Sequence, residues 1–191
     1  MKIAVMIGSL SKTSLNRQIY ENYKELNKDI FEFIEVEISN FPFYDSGVQN
    51  FEAVQKANKQ IASSDAIIFF SPEYNYSVPA VLKNALDCLS RVENCALIKK
   101  PAAIIGASPS PIGTARMQHH LRQICVYMDV RFLNRPEAML SSANQKLENG
   151  RFIDKDTKEF LIRHAKAFEE FIKQNKWKVY FLSLKTLNLK Y

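Results

Sequence analysis

The feature that most constrains the fold of this 191-residue chain is a series of short apolar runs. The first, IAVMI at residues 3–7, and the third, AIIFF at residues 66–70, are apolar throughout rather than at every second position. Such runs are typical of strands in a parallel sheet, because helices cover both faces of that sheet. We predict strands at residues 3–7, 31–36, 66–70, 102–106 and 130–133.

Segments with apolar residues at helical spacing separate these runs. Leu15, Ile19, Tyr23 and Leu26 form one such stripe, and similar stripes follow each later run. The predicted helices contain residues 15–26, 51–61, 78–89, 117–128 and 160–172. The alternation of strands and helices predicts an α/β domain, in which a five-stranded parallel sheet carries helices on both faces.

The composition changes at only one place along the chain, after residue 173. Residues 174–191, QNKWKVYFLSLKTLNLKY, contain four lysines and no acidic residue. The whole chain carries a net charge of +6, so without this segment the remainder carries only +2 and shows no basic footprint for nucleic acid. We therefore predict one domain at residues 1–173 and a basic, apolar C-terminal extension at residues 174–191.

Three interpretations of this extension remain open. It packs on its own domain, covers a partner subunit, or touches a membrane surface through its lysines. Its apolar residues at 177, 179, 181, 182 and 184 mix strand and helix spacing, so they form no single amphipathic face. This irregular spacing favours packing against the domain or a partner subunit over binding to a membrane.

Other sequence features favour a cytoplasmic protein. The N-terminal MKIAVMIGSL has one charge before its apolar stretch and no cleavage pattern of small residues, so it reads as a strand rather than a signal peptide. The three cysteines are odd in number and lack a CxxC pair, which argues against a disulfide framework and a zinc site. No apolar run approaches the roughly 20 residues that span a membrane.

Ligands of open parallel sheets bind beyond the carboxyl ends of the strands. Three segments rich in polar or small residues follow predicted strands, and we call them loop 1 (residues 8–13), loop 2 (71–77) and loop 3 (107–113). Loop 1 and the start of the next helix read GSLSKTSLNR, with four hydroxyls and a lysine. Free N–H groups at a helix start, together with these side chains, suit a phosphate group. Ordinary helix capping explains one hydroxyl well, but it explains four poorly.

The remaining two loops have features that suit a planar ring. Loop 2 places Glu73, Tyr74, Asn75 and Tyr76 between a buried strand and a helix, and loop 3 combines small residues with two prolines. The tyrosines also suit packing at a helix entrance or a subunit contact, Glu73 also suits a helix N-terminus, and loop 3 also suits a tight turn. GxGxxG and the Walker A pattern are absent, so a mononucleotide is a better candidate than a tightly held dinucleotide or triphosphate.

These segments resemble the motifs of a known family. GSLSKTSLNR resembles the GSxRxxSxNR signature of NADPH-dependent FMN reductases, and SPEYNYSVPAVLKNALDCLSR, residues 71–91, resembles the family's second motif. GTARMQHHLRQIC, residues 113–125, extends a resemblance that covers about residues 2–173. The most similar subgroup is that of the bacterial chromate and quinone reductases. The resemblance implies a flavodoxin-like fold, tightly but non-covalently bound FMN, and assembly into homodimers or homotetramers.

The resemblance also implies a site. Phosphate contacts would come from loop 1 and the following helix, isoalloxazine contacts from loop 2, and one further ring contact from loop 3. The residues assigned to FMN in this way are Ser9, Leu10, Lys12, Ser14, Leu15, Asn16, Pro72, Glu73, Tyr74, Asn75, Tyr76 and Ser108. The family usually has an arginine where this chain has Lys12. Because lysine lacks the planar fork of arginine, we expect FMN binding to survive and NADPH recognition to weaken.

The activity implied by the resemblance is an FMN-dependent NAD(P)H oxidoreductase. The flavin would accept a hydride from NADPH or NADH and pass electrons to quinones, azo compounds, free flavin or chromate. The flavin carries this chemistry, so no side chain is assigned as a general acid or base. The alternative is a non-enzymatic electron carrier of the flavodoxin type or a flavin-dependent sensor. Such carriers tend to be acidic, whereas residues 1–173 are mildly basic.

Overall fold

The structure is a computed structural model that describes the backbone of residues 1–186 and the side-chain surroundings of residues 1–175. Strands and helices alternate over most of that length. The strands are β1 (Lys2–Ile7), β2 (Glu32–Glu35), β3 (Ala66–Phe70), β4 (Pro101–Ala107), β5 (Arg131–Phe132), β6 (Ala138–Leu140), β7 (Leu147–Glu148) and β8 (Arg151–Phe152). The helices are α1 (Leu15–Leu26), α2 (Glu52–Ala62), α3 (Ala80–Leu89), α4 (Ala115–Cys125) and α5 (Lys155–Thr186).

The central sheet has the order β2–β1–β3–β4–β5, and all its pairings are parallel. This 2-1-3-4-5 order is that of the flavodoxin-like doubly wound sheets. The strand order reverses direction between β1 and β3, so the helices that follow these two strands, α1 and α3, lie on opposite faces of the sheet. The predicted α/β fold with a parallel sheet and helices on both faces is therefore confirmed.

The fifth position of the sheet is filled by two segments instead of one. β5 pairs with the beginning of β4 through Arg131 and Phe132, and β6 pairs with the end of β4 through residues 138–140. The sequence pattern predicted only the first segment, at residues 130–133. The second is a three-residue strand that follows Pro136. It is too short to give the sustained apolar run from which a strand is predicted.

Two apolar cores cover the two faces of the sheet. Alternate residues of β3 point to opposite sides, with Ile67 and Phe69 in one core and Ile68 and Phe70 in the other. Helices α2, α3 and α4 pack on the first face, and α1 and α5 pack on the second. This double coverage is the reason why the strands are continuously apolar in sequence.

The core between α1 and α5 contains a buried polar pair. The Tyr23 hydroxyl lies 3.2 Å from Nδ1 of His164, and both side chains are almost fully buried among aromatic rings. Burial lowers the pKa of His164 to about 4. The imidazole is therefore neutral at neutral pH and serves packing.

All three cysteines are buried as free thiols on the α2–α3–α4 side of the sheet. Burial raises the pKa of each thiol above its usual range, and it raises that of Cys125 to about 12. Within the part of the chain that the structure describes, no group of three or more histidine, cysteine, aspartate or glutamate residues is arranged to hold a metal ion.

Helix α5 continues without interruption past residue 173, where the sequence pattern placed the start of an extension. Its buried residues Leu161, Ala165, Phe168 and Ile172 contact the core. The extension therefore begins as a continuation of this helix, and residues 187–191 lie outside the described part. Over residues 1–186, no helix is long and apolar enough to cross a membrane.

Candidate functional site

Loops 1, 2 and 3 follow β1, β3 and β4, and they meet at the carboxyl edge of the sheet. Three side-chain links join them. Ser9 of loop 1 lies with its Oγ 3.2 Å from the Tyr74 hydroxyl of loop 2. Asn16 at the start of α1 binds the backbone of Ala107 in loop 3. Glu73 of loop 2 binds the first turn of α4, directly after loop 3.

Loop 1 presents donors to solvent. The side chains of Leu10, Ser11, Lys12 and Thr13 are exposed, and Ser14 caps α1 by accepting a hydrogen bond from the N–H of Arg17 at 3.3 Å. Among the described residues, the N–H groups of Leu15 and Asn16 have no hydrogen-bond partner. Free N–H groups at the start of a helix attract anions, so the donors of loop 1 fit a phosphate group.

The alignment of the GSxRxxSxNR signature with residues 8–17 corrects the expected position of its arginine. The signature's arginine falls on Ser11, one residue before Lys12. Lys12 therefore supplies a positive charge from the neighbouring position instead of replacing the arginine. The Ser11 hydroxyl instead accepts a hydrogen bond from the N–H of Thr13 at 3.3 Å and helps to shape the loop.

Asn16 lies close to the other assigned residues, but its side chain is turned towards loop 3. Its Nδ2 donates to the Ala107 carbonyl at 3.0 Å, and its Oδ1 accepts from the Ala107 N–H at 2.9 Å. Asn16 is buried, and Leu15 packs against the core on the same side of the sheet. The side chains of these two residues therefore face loop 3 and the core, while their backbone N–H groups lie at the start of α1.

Loop 2 is a small hairpin with an unusual turn. Tyr74 and Ser77 exchange backbone hydrogen bonds of 3.1 and 2.9 Å, with Asn75 and Tyr76 between them. Both central residues have positive φ, 49° and 66°, as a type I′ turn requires. Asparagine adopts this conformation easily, whereas a tyrosine there is uncommon. The hairpin presents the rings of Tyr74 and Tyr76 at the surface, 48% and 65% exposed.

Glu73 is buried beneath this hairpin, with only 6% of its side chain exposed. Its Oε1 accepts from Nε of Arg116 at 2.7 Å, and its Oε2 accepts from the N–H of Met117 at 3.1 Å. The carboxylate therefore lies at the N-terminus of α4, where the free N–H groups favour a negative charge. Pro72 precedes it and is half-buried.

Loop 3 folds back on the segment after β6. Ser108 donates its N–H to the carbonyl of Leu140 at 3.1 Å, and its Oγ accepts from the N–H of Ser110 at 3.1 Å. Beneath it, a Cβ added to Gly106 would overlap Thr114 Oγ1 and lie 2.9 Å from the Ser71 carbonyl. Glycine is needed at this position of β4 because Thr114 at the start of α4 and Ser71 at the start of loop 2 approach its Cα too closely for any side chain.

A cleft of about 340 Å³ opens beside loop 1 and extends towards the end of β2. Ser9, Leu10 and Lys12 line one side of it, and Arg17 and Glu35 line the other. The guanidinium of Arg17 forms two hydrogen bonds with the Glu35 carboxylate, which raises the pKa of Arg17. This ion pair anchors the first turn of α1 to β2 and fixes one wall of the cleft.

Of the residues assigned from the sequence, all except Leu15 and Asn16 lie on the three loops or cap α1. Sequence reasoning did not assign Arg116, although it lies in the GTARMQHHLRQIC segment. It is 43 residues from Glu73. An arginine in the first turn of a helix, where a positive charge is unfavourable, is a sequence signal that an acidic partner lies nearby.

The fold defines the class of protein: a flavodoxin-like protein in which loops 1, 2 and 3 meet at the carboxyl edge of the parallel sheet. The family model of the NADPH-dependent FMN reductases matches residues 1–145. The chain therefore belongs to the NADPH-dependent FMN reductase family, as the sequence motifs predict.

Individual proteins give the same result. The chain is 40% identical over 165 residues to a 2-hydroxy-1,4-benzoquinone reductase of a Burkholderia species, covering 84% of this chain and 90% of the relative. It is 37% identical over 183 residues to a quinone reductase of Escherichia coli, covering 92% and 97%. The structure of FerB, a flavoenzyme NAD(P)H:(acceptor) oxidoreductase from Paracoccus denitrificans, superposes with a TM-score of 0.85, 32% identity, and coverage of 91% and 98%.

These comparisons confirm the predicted class of enzyme. The names of the family and of the relatives describe oxidoreductases. Some of these names specify FMN or a nicotinamide, and others specify a quinone as the compound reduced. Membership of this family implies FMN as cofactor, a nicotinamide as co-substrate and a small molecule as acceptor. The individual residues assigned to FMN remain predictions.

Proposed function

We propose that this protein is an FMN-dependent NAD(P)H oxidoreductase that delivers electrons to quinones and other flat acceptors, with FMN tightly but non-covalently bound. One observation carries the proposal. The exposed Tyr74 of loop 2 stands beside the donor-rich loop 1, to which its hydroxyl is joined through Ser9, and Tyr76 lies at the tip of the same hairpin. A phosphate at loop 1 and a ring system along loop 2 therefore suit one extended ligand.

The phosphate half of this site is built by loop 1 and α1. The N–H groups of Leu15 and Asn16, the exposed hydroxyls of loop 1 and the charge of Lys12 would hold the phosphate of FMN. A dianion bound by several N–H and O–H donors gains charge-assisted hydrogen bonds, which are stronger than neutral ones. Asn16 keeps this half in register with loop 3 through its bonds to Ala107.

The ring half is built by loops 2 and 3. When FMN is bound, its isoalloxazine supplies the hydride-accepting and electron-transferring chemistry. Tyr74 and Tyr76 would give the ring an amphipathic wall, with Asn75 at the turn, and Ser108 of loop 3 would add one further contact. These side chains position the ring and leave a face open for a nicotinamide or an acceptor.

Flat acceptors are proposed because both reactants of the flavin must reach the same open face. A nicotinamide and a quinone are planar rings of similar size, and exposed tyrosines favour stacking with either. The relatives at 40% and 37% identity are named as quinone reductases. Azo compounds, free flavin and chromate are further candidates, and either NADPH or NADH serves as donor.

The direct test is spectroscopic. The purified protein should show a flavin absorption band, and anaerobic addition of NADPH or NADH should bleach it. A quinone added afterwards should restore the band, and steady-state turnover should need no partner reductase. A colourless protein that takes up no FMN would disprove the proposed cofactor. A flavin band that NADPH and NADH leave unchanged would instead favour an electron carrier.

We further propose that the protein forms a homodimer or homotetramer. Phe43, Val126 and Tyr127 are large apolar residues that are 70% or more exposed on the described surface. Arg91 lies between the rings of Tyr44 and Tyr127, 5.8 and 5.4 Å from their centroids. Exposed aromatic residues together with arginine are typical of interfaces. Light scattering at micromolar concentration should give a multiple of the 22.0 kDa chain mass, and a monomer would contradict this.

We also propose a cytoplasmic location. Cys88, Cys95 and Cys125 are free thiols in the described structure, which suits a reducing compartment. Fractionation of cells that produce the protein should recover it with cytoplasmic markers, and recovery with the membrane would contradict the proposal.

A further inference from the structure

Arg116 makes two contacts with loop 2 from the first turn of α4. Its Nε donates to the buried Glu73 carboxylate at 2.7 Å, and its guanidinium lies over the ring of Tyr76 at 3.6 Å from the centroid. Glu73 and Tyr76 stand on either side of the hairpin bridge between Tyr74 and Ser77. One side chain thus holds both the base and the tip of the hairpin.

We propose that Arg116 is a positioning residue of the flavin site, which fixes the tyrosine wall of loop 2 against α4. This role rests on the proposed function, since it takes the ligand to be FMN. Arg116 would act through Glu73 and Tyr76 and would not touch the reacting atoms. Its effect would therefore fall on the ring half of the site and leave the phosphate half unchanged.

The contact with Glu73 explains why this position needs a cation. A buried carboxylate is costly unless it is paired and hydrogen-bonded. The N–H of Met117 satisfies one oxygen of Glu73, and Arg116 satisfies the other. Without the guanidinium, the carboxylate would move towards solvent, and the hairpin that follows it in the chain would move with it.

The contact with Tyr76 explains why this cation is an arginine. The backbone of Tyr76 adopts a left-handed conformation, which residues other than glycine and asparagine rarely take. A planar guanidinium at 3.6 Å stabilises the ring in that position by cation–π attraction and stacking. Lysine keeps the charge but lacks the planar fork, so it cannot serve Glu73 and Tyr76 at the same time.

The test separates the two halves of the site by using two ligands. Apo-protein carrying Arg116→Lys is titrated with FMN and with riboflavin, which lacks the phosphate, and flavin fluorescence reports binding. We expect both ligands to bind about tenfold more weakly, because the loss lies in the ring half that they share. The visible circular dichroism of the bound flavin should also change, since it reports how the ring is held. Glu73→Gln, which keeps the size of the side chain, should change both measurements in the same direction.

Arg122→Lys is the matched control. Arg122 also lies on α4, stacks 5.1 Å from the centroid of Phe132 and hydrogen-bonds Asn134 and the Leu133 carbonyl, but it is six residues further along the helix. This variant should leave both affinities and the circular dichroism unchanged. If it matched the loss of Arg116→Lys, the effect would belong to α4 as a whole, and the positioning role would be wrong.

Two other outcomes would also overturn the proposal. In the first, the Arg116→Lys variant binds FMN and riboflavin as tightly as the unaltered protein and gives the same circular dichroism. That result would show that loop 2 does not need this arginine. Unchanged flavin binding with a smaller particle in light scattering assigns Arg116 to a subunit contact. Failure of the unaltered protein to bind FMN would overturn the proposed function itself, which distinguishes it from a failure of the variant alone.

Discussion

Loops 1 and 2 lie side by side at the same edge of the sheet, yet they are held in different ways. The hydroxyls of Ser11 and Thr13 form hydrogen bonds within loop 1, and the backbone carbonyl of Thr13 accepts one from the Gln18 side chain of α1. Loop 2 is bound to distant residues, through Glu73 to Arg116 and through Ser77 to His120. The exposed donors of loop 1 are therefore available to a ligand. The conformation of loop 2, by contrast, is already fixed by contacts with α4.

Because the two loops are held differently, changes in them should affect ligand binding and protein stability to different degrees. A change in the exposed part of loop 1 should alter ligand affinity and leave the free energy of unfolding unchanged. A change beneath loop 2 should lower both, because the loop is part of the packed structure.

The largest effect is expected beneath loop 2. Gly106→Ala should lower the free energy of unfolding by about 3 kcal/mol, because its Cβ would collide with the buried Thr114 and the Ser71 carbonyl. Gly47→Ala is the matched control, since a Cβ there meets nothing within 4 Å. Urea denaturation of the two variants measures the difference, and equal stabilities would contradict this picture of loop 2.

Asn16 links the two kinds of loop, because it lies in the first turn of α1, directly after loop 1, and its side chain is bound to Ala107 at the start of loop 3. Asn16→Ala would leave both backbone groups of Ala107 without their partner, at a cost of about 2 kcal/mol in the free energy of unfolding. FMN affinity should fall with it, because α1 loses its register with loop 3. Loss of FMN binding with full stability in urea would show that Asn16 contacts the ligand directly.

Changes in pH should alter the free energy of unfolding through a buried histidine of the core, His164. In the unfolded chain His164 has its ordinary pKa of 6.5, but burial lowers the pKa to about 4 in the folded protein. The unfolded state therefore binds the proton more readily, and stability falls as the pH drops from 6.5 towards 4. The expected loss between pH 7 and pH 5 is about 2 kcal/mol.

Urea denaturation at the two pH values tests this effect, with two variants for comparison. His164→Phe should remove most of the loss, whatever its stability at pH 7. His119→Gln, at an exposed histidine of α4, should keep the loss. If the His164→Phe variant lost as much free energy of unfolding between pH 7 and pH 5 as the unaltered protein, the pH dependence would belong to other groups.

A smaller effect is expected from the exposed part of loop 1. The double variant Ser11→Ala and Lys12→Ala should bind FMN about tenfold more weakly, a difference of about 1.4 kcal/mol, and should bind riboflavin normally. Its unfolding in urea without FMN should match that of the unaltered protein, because both side chains are exposed. Equal losses for FMN and riboflavin would show that loop 1 does not hold the phosphate.

The smallest effect on the site is expected from the C-terminal extension. A chain ending at Lys173 keeps the α5 residues that contact the core among the side chains described up to residue 175. We propose that the extension packs against the domain or a partner subunit, so its removal should lower thermal stability or the size of the oligomer. FMN content and the rate per flavin should stay near normal. Loss of FMN from a folded, truncated protein would instead place the extension at the site.

Most of the fold was predictable because its strands are buried on both faces. The continuous apolar runs of β1, β3 and β4 have no other simple interpretation, and the predicted bounds differ from the observed ones by at most one residue. β6 and the hairpin of β7 and β8 were missed because strands of two or three residues leave no periodic pattern. Tertiary pairing alone defines them.

The site was predictable in its segments but not in its links. Hydroxyls and tyrosines after buried strands mark loops 1 and 2, because such residues are not needed for a simple turn. The bonds from Asn16 to Ala107 and from Glu73 to Arg116 span 91 and 43 residues, and no spacing within a loop reveals them. They depend on which strands are neighbours in the sheet.

The burial of the three thiols has a chemical consequence for an enzyme that meets quinones. Quinones, the proposed acceptors, are electrophiles that add to thiolates, so they would alkylate an exposed, ionised cysteine. Here burial both shields Cys88, Cys95 and Cys125 and raises their pKa values, which keeps them protonated and unreactive. The polypeptide is thereby protected against self-inactivation during turnover.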